Sequence, residues 1–270
     1  MTTAGYETIN YEVDGHTATI TLNRPDALNA LSPHMIYELR AAYDEAENDD
    51  KVWMLIVTAT GRAFCTGADV KAIPGDGKVI YERPYLSTYE QWEAPQEGTP
   101  PFRRMAKPLL TAVNGICCGA GLDWVTTSDI VIASDRATFF DPHVSIGLVA
   151  GRELVRLARV LPRSVALRMA LMGKHERMDA QRAFDLGLIS EIVQHDRLVE
   201  RAREIAEIVN SNAPLAVRGT RLAILKGLDL PLHEAEILAE TFRERVLRTE
   251  DALEGPKAFV EKRPPDWQCQ

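Results

Sequence analysis

Short apolar blocks, alternating or continuous, fill roughly the first 140 positions, and beyond about position 150 the apolar residues recur at helical spacing. Tyr6 to Val13 and His16 to Leu22 read as two strands joined at Asp14-Gly15, a dipeptide suited to a tight hairpin turn. After a polar loop from Asn23 to Asn29, Ser32-Pro33 opens a helix, with a capping hydroxyl and a proline at the first turn. Met35, Leu39, Ala42 and Tyr43 then repeat on one face, which carries the helix to about Asn48. Trp53 to Thr58 and Pro108 to Val113 are continuous apolar runs of the kind that form buried strands. Ile130 to Ala133, Thr138 to Phe140 and Ile189 to Val193 add shorter ones.

The C-terminal part predicts helices over Glu153–Val160, Ser164–Met172, Asp179–Leu186, Leu198–Asn210, Leu215–Lys226 and Leu232–Leu247. A last helix, Leu253–Lys262, stops before Pro264-Pro265. Strands, small-residue turns and helices thus interleave first and helices follow. This suggests an α/β fold of stacked β-β-α units rather than a doubly wound sheet. Residues Pro74 to Pro101 hold glycine, proline and the aromatic residues Tyr81, Tyr85, Tyr89 and Trp92 with little periodicity, and a segment of this kind usually covers a site or is mobile.

Two glycine-bearing turns stand out. In Ala112-Val113-Asn114-Gly115-Ile116-Cys117-Cys118-Gly119-Ala120-Gly121-Leu122-Asp123 an apolar strand enters a turn of small residues and a helical pattern follows at once. Upstream, Gly61-Arg62-Ala63-Phe64-Cys65-Thr66-Gly67-Ala68-Asp69-Val70-Lys71 has the same character. Small residues let the backbone approach a ligand, and the first N–H groups of a helix have no internal partner. One N–H from each turn, facing a common point, would hold a developing oxyanion.

The chain has 270 residues, 46% of them hydrophobic, which is enough for one large domain with a sizeable core. Its formal net charge is −8 and it carries no basic stripe, so a nucleic-acid partner is not expected. The four cysteines (Cys65, Cys117, Cys118 and Cys269) form no C-x-x-C pair. Cys65, Cys117 and Cys118 sit beside small apolar residues in the two turns and read as buried small hydrophobes; a reduced cytoplasmic protein with no metal site is expected. Met1 to Tyr11 lacks the basic and apolar regions of a signal peptide, and no apolar run reaches the roughly 18 residues of a membrane span. No membrane partner is expected.

Taken together, Asn23-Arg24-Pro25 with Asn29-Ala30-Leu31, Ala63-Phe64-Cys65-Thr66-Gly67-Ala68-Asp69, Ala112-Val113-Asn114-Gly115, Asp129 to Ala133 and the terminal Ala258 to Arg263 resemble the crotonase superfamily, the enoyl-CoA hydratase/isomerase family. The resemblance implies a crotonase (ClpP-like) spiral of β-β-α units. It places an acyl-CoA-binding core over residues 1–195 and a helical C-terminal trimerisation region over 196–270, in a homotrimer or homohexamer. The implied substrate is an acyl-CoA thioester, coenzyme A being part of the substrate and no separate cofactor being needed. The N–H groups of Ala68 and Ala120 would be the oxyanion donors, worth about 3–4 kcal/mol each by analogy with other such holes. Backbone around Ala68, Asp69, Val70 and Lys71 would line the coenzyme A moiety, Ala27 and Leu28 its adenine, and Arg24 and Lys71 its phosphates. Phe259 and Lys262 fall where the family's last helix reaches a neighbouring subunit's coenzyme A.

The proton-transfer positions depart from the family's two glutamates. Asp123 stands at the first and His143, in Asp141-Pro142-His143, at the second. Aspartate shortens the side chain by about 1.5 Å, and a misplacement of about 1 Å can cost roughly a hundredfold. Histidine, with an ordinary pKa of about 6.5, can still act as acid or base. Asp123 and His143 are therefore the expected proton carriers, with Asp141 as an alternative acid or as the group that orients His143. Arg152 and Glu153, at the start of a helix, read as surface first-turn charges. Trp124 either shapes the acyl end or packs in the core.

The expected activity is an acyl-CoA-processing enzyme of hydratase or isomerase type that stabilises a thioester enolate. The alternatives are a hydrolase, decarboxylase or C–C lyase on the same oxyanion hole, or a non-catalytic acyl-CoA binder.

Overall fold

The structure, a computed structural model, describes residues 5–69 and 105–270. Val70, Lys71 and the aromatic residues between Pro74 and Pro101 lie outside the described residues.

The N-terminal hairpin forms as expected: β1 (Ile9–Asp14) pairs antiparallel with β2 (Thr17–Leu22) across Asp14-Gly15-His16. In β2 buried Ala18, Ile20 and Leu22 alternate with half-buried threonines, the period of a strand with one face in the core. Beyond it the strands are parallel and buried on both faces, which explains why β3 (Met54–Ala59) and β5 (Leu109–Val113) read as unbroken apolar runs. With β7 (Ile130–Ser134) and β10 (Glu191–Val193) they complete a six-stranded sheet in the order β1-β2-β3-β5-β7-β10.

A second sheet takes the segment that follows each of three of these strands. β4 (Ala63–Cys65), β6 (Ile116–Cys118) and β8 (Thr138–Phe140) run parallel, closed by the two-residue β9 (Met178–Asp179). Each of these three turns of chain thus places one strand in the large sheet and the next in the small one, giving a spiral of two layers.

Helix α1 (Pro33–Asn48) starts where Ser32 accepts the Met35 N–H, and buries Met35, Leu39, Ala42 and Tyr43. Helices α2 (Leu122–Thr127) and α3 (Arg152–Val160) pack on each other beside the small sheet. Further helices span Arg163–Met172, Ala180–Asp185, Leu198–Asn210, Pro214–Gly227, Leu232–Val246 and Glu250–Glu261.

The core lies between α1 and the sheets, with a second buried cluster on the opposite face of the large sheet. There Leu198, Ala202 and Ala206 cover Met54, Ile56, Leu110, Ala112 and Ile132, so the helix Leu198–Asn210 closes the sheet rather than standing with the later helices. The Pro214–Gly227 helix is tied on by Arg221, which pairs with Asp129 at 2.7 Å; Asp129 also accepts the Leu109 N–H.

Candidate active site

The two glycine turns meet. Gly67 and Gly119 both have positive φ, +87° and +56°, which a side chain would strain. They also face one another: a Cβ on Gly67 would stand 3.4 Å from the Ala120 nitrogen, and one on Gly119 would stand 3.5 Å from the Gly67 Cα. The first turn is held from outside. Leu31 donates to the Gly67 carbonyl at 2.8 Å and accepts from the Asp69 N–H at 3.0 Å, a parallel bridge that turns Ala68's own N–H away from Leu31. The Ala120 N–H sits at the start of the short 3-10 turn Gly119–Gly121, where a helical N–H has no carbonyl behind it.

The Asn23–Leu31 loop forms the next layer. Buried Asn29 donates to the carbonyls of Thr60 and Ala63 and accepts the Arg24 N–H at 2.7 Å. Thr66 donates to the Leu28 carbonyl at 3.2 Å, so half-buried Ala27 and Leu28 lie directly beside the first glycine turn. Arg24 pairs with Asp69 at 2.8 Å and donates to the Ala30 carbonyl, with its side chain 23% exposed. Arg24, Ala27, Leu28, Ala68, Asp69 and Ala120 therefore gather in one region. Phe259 and Lys262 are exposed at the end of the last helix.

His143 sits at the second turn, its Cε1 3.7 Å from where a Gly119 Cβ would be. Asp141, fully buried, accepts both the His143 backbone N–H at 3.0 Å and its Nδ1–H at 2.9 Å. This fixes the ring and leaves Nε2 as the nitrogen available to a ligand. The hydrogen bond to Asp141 raises the His143 pKa; burial acts against it, and the charges of Asp141 and Glu153 add to the rise.

Asp123 is also fully buried, on the first turn of α2. Arg156 donates to its Oδ1, and Arg152 Nε lies 3.4 Å from its Oδ2. Burial raises the Asp123 pKa, while Arg156 and then Arg152 pull it back down. Trp124 belongs to the core: it is wholly buried, donates to the Tyr43 hydroxyl at 3.0 Å and meets Phe64 edge-on.

One expectation is corrected here. Arg152 and Glu153 are not surface charges: Arg152 reaches Asp123, and Glu153 is 8% exposed, its Oε2 without a hydrogen-bond partner among the described residues. The reason is helical geometry. Glu153 and Leu157 share a face, and that face is the one α3 turns inward. The Glu153/Leu157 spacing was in the sequence and would have placed the glutamate inside.

The three cysteines beside the turns are buried, as expected, and burial pushes Cys65 and Cys118 up to about 12 and Cys117 well above its ordinary value. Among the described residues no group of three or more His, Cys, Asp or Glu side chains is arranged to hold a metal, and no helix is long and apolar enough to cross a membrane.

Known proteins give the same picture. The family model described as enoyl-CoA hydratase/isomerase matches residues 12–270. An (E)-benzylidenesuccinyl-CoA hydratase of Thauera aromatica is 36% identical over 262 residues, covering 95% of this chain and 97% of that protein. A short-chain-enoyl-CoA hydratase of Clostridium acetobutylicum is 33% identical, covering 93% and 94%. The crystal structure of an enoyl-CoA hydratase/isomerase from Mycobacterium paratuberculosis superposes with a TM-score of 0.91 at 86% identity, over 98% of this chain and 100% of that one. The fold has its counterpart in these relatives: the chain belongs to the enoyl-CoA hydratase/isomerase family of the crotonase superfamily, and its function is of that type.

Proposed function

We propose that the protein hydrates a 2-enoyl-CoA thioester, and that its proton-transfer machinery is built on His143 and Asp141 rather than on two glutamates. The observation that carries this is the Asp141–His143 pair at 2.9 Å, set against the glycine turn that presents the Ala120 N–H. The N–H groups of Ala68 and Ala120 hold the thioester oxygen, which draws electron density from the double bond and stabilises the enolate. Held by Asp141, the His143 imidazolium gives a proton to the α-carbon, and the neutral ring takes it back in the dehydration direction. Asp123 keeps α2 and α3 together through its two arginines rather than moving protons.

Coenzyme A runs past Ala27, Leu28, Asp69, Val70 and Lys71, with Arg24 locking the first turn by way of Asp69 and Lys71 meeting the phosphates. Phe259 and Lys262 project from the last helix, Phe259 85% exposed, and serve a neighbouring copy in a trimer or a pair of trimers. The setting is the cytoplasm, and no separate cofactor or metal takes part.

The experiment is a mass-spectrometric assay with straight-chain, aryl-substituted and polycyclic 2-enoyl-CoA thioesters in ordinary and heavy-oxygen water. Gain of one water, lost in His143→Ala, supports the hydratase. The Asp141–His143 dyad, with only the imidazole partly exposed, also suits attack of water on the thioester carbonyl itself. Free coenzyme A with heavy oxygen in the released acid would establish that second reading in its place.

A further inference from the structure

The hydratase reading supplies an acid for the α-carbon and leaves open which group activates the water that attacks the β-carbon. Asp123 is poorly suited, because its carboxylate faces Arg152 and Arg156 from within the α2–α3 contact. Glu153 differs. It is buried at 8% exposure, its Oε2 has no hydrogen-bond partner among the described residues, and it lies on the inward face of α3 between the two arginines in sequence. An unpaired buried carboxylate oxygen is costly, and its persistence points to a ligand that completes it. Gly151 supplies the room: a Cβ there would stand 3.2 Å from that oxygen.

Glu153 follows Arg152, which reaches Asp123, on the first turn of α3, and α3 packs on α2, the helix that continues directly from the Gly119–Gly121 turn presenting Ala120.

Building on the hydratase reading, we propose that Glu153 is a catalytic residue whose Oε2 binds and deprotonates the attacking water. The water's oxygen forms a bond to the β-carbon as its proton passes to Glu153. The electron pair of the double bond moves into the enolate held by Ala68 and Ala120. His143 then delivers its proton to the α-carbon and the thioester carbonyl re-forms. Return of the proton from Glu153 to His143 through solvent restores both groups, so the net change is addition of one water.

The test separates the two half-steps. Exchange of the α-protons of a saturated acyl-CoA, butyryl-CoA, with heavy water needs the oxyanion donors and His143 but no attacking water. Glu153→Gln is expected to lower hydration by a hundredfold or more while retaining α-proton exchange, with His143→Ala losing both. Glu153→Asp, which keeps the charge but withdraws it by about 1.5 Å, should recover part of the hydration rate. Hydration at the parent rate in Glu153→Gln overturns the assignment. So does equal loss of hydration and exchange, which marks Glu153 as structural. A parent protein that exchanges α-protons but hydrates none of the thioesters overturns the hydratase reading itself.

Discussion

Asp141 grips His143 at two points, accepting the backbone N–H at 3.0 Å and the ring Nδ1–H at 2.9 Å from within a fully buried position. One residue thus fixes both the turn that carries the imidazole and the orientation of the ring. Asp141→Asn should leave the fold in place and reduce kcat by about 10²–10⁴-fold, because the amide no longer favours the same tautomer and charge state. Steady-state kinetics with unchanged circular dichroism would check this, and a fully active variant would sink the dyad.

The same pair predicts a pH dependence of stability. The His143 pKa is raised in the folded protein, so the pair's contribution is complete below the ordinary value of about 6.5 and fades as pH rises through the higher folded value. Urea unfolding of parent and His143→Ala should therefore differ most below the ordinary histidine pKa and draw together as pH rises through the raised folded value. A gap that widens with pH contradicts the assignment.

Asp123 and Arg156 should behave as a buried ion pair. Asp123→Ala leaves the guanidinium without its carboxylate and is expected to cost about 3–5 kcal/mol, whereas the double change Asp123→Leu with Arg156→Met should recover most of it. If the recovered double variant keeps measurable α-proton exchange, Asp123 has no necessary part in proton transfer. Complete loss of exchange in that stable variant would restore Asp123 as a proton carrier.

Ala120→Pro removes one oxyanion donor at a turn position. A loss of about 10²–10³-fold in kcat is expected, with acyl-CoA binding retained. Normal turnover would move the hole elsewhere.

Thiol chemistry gives an independent check on packing. Cys65, Cys117 and Cys118 are buried, whereas Cys269 is half-buried near the C-terminus; burial raises the pKa of all four, so accessibility sets the order of reaction. Native protein treated with iodoacetamide at pH 8 should be alkylated first at Cys269, with the other three reacting only on unfolding. Early modification of Cys65 or Cys118 would mean that the glycine turns open.

Much of this arrangement is legible in the sequence, and particular residues show why. Asp14-Gly15 marks the hairpin, Ser32-Pro33 starts α1, and unbroken apolar runs give β3 and β5, because each depends on local geometry or on burial along one segment. The meeting of Gly67 with Gly119 joins segments about fifty residues apart; the shared small-residue character of the two turns suggests it, but no local pattern fixes it. Asp123 lies at the expected place but faces two arginines from the next helix, a contact no local pattern encodes. A charge in a first helical turn is usually exposed, but Glu153 shares its face with Leu157 and that face is the buried one.

Leu31, whose backbone bridges Ala68, belongs to a loop that precedes α1, while Ala120 arrives from a strand far later in the chain. The site is therefore a junction of distant pieces rather than the property of any one segment. A refolding chain that has formed its helices and most of its strands still has no site until the last of these pieces docks. Recovery of turnover after dilution from denaturant should consequently trail recovery of helical signal, making catalysis a clock for the final step of assembly.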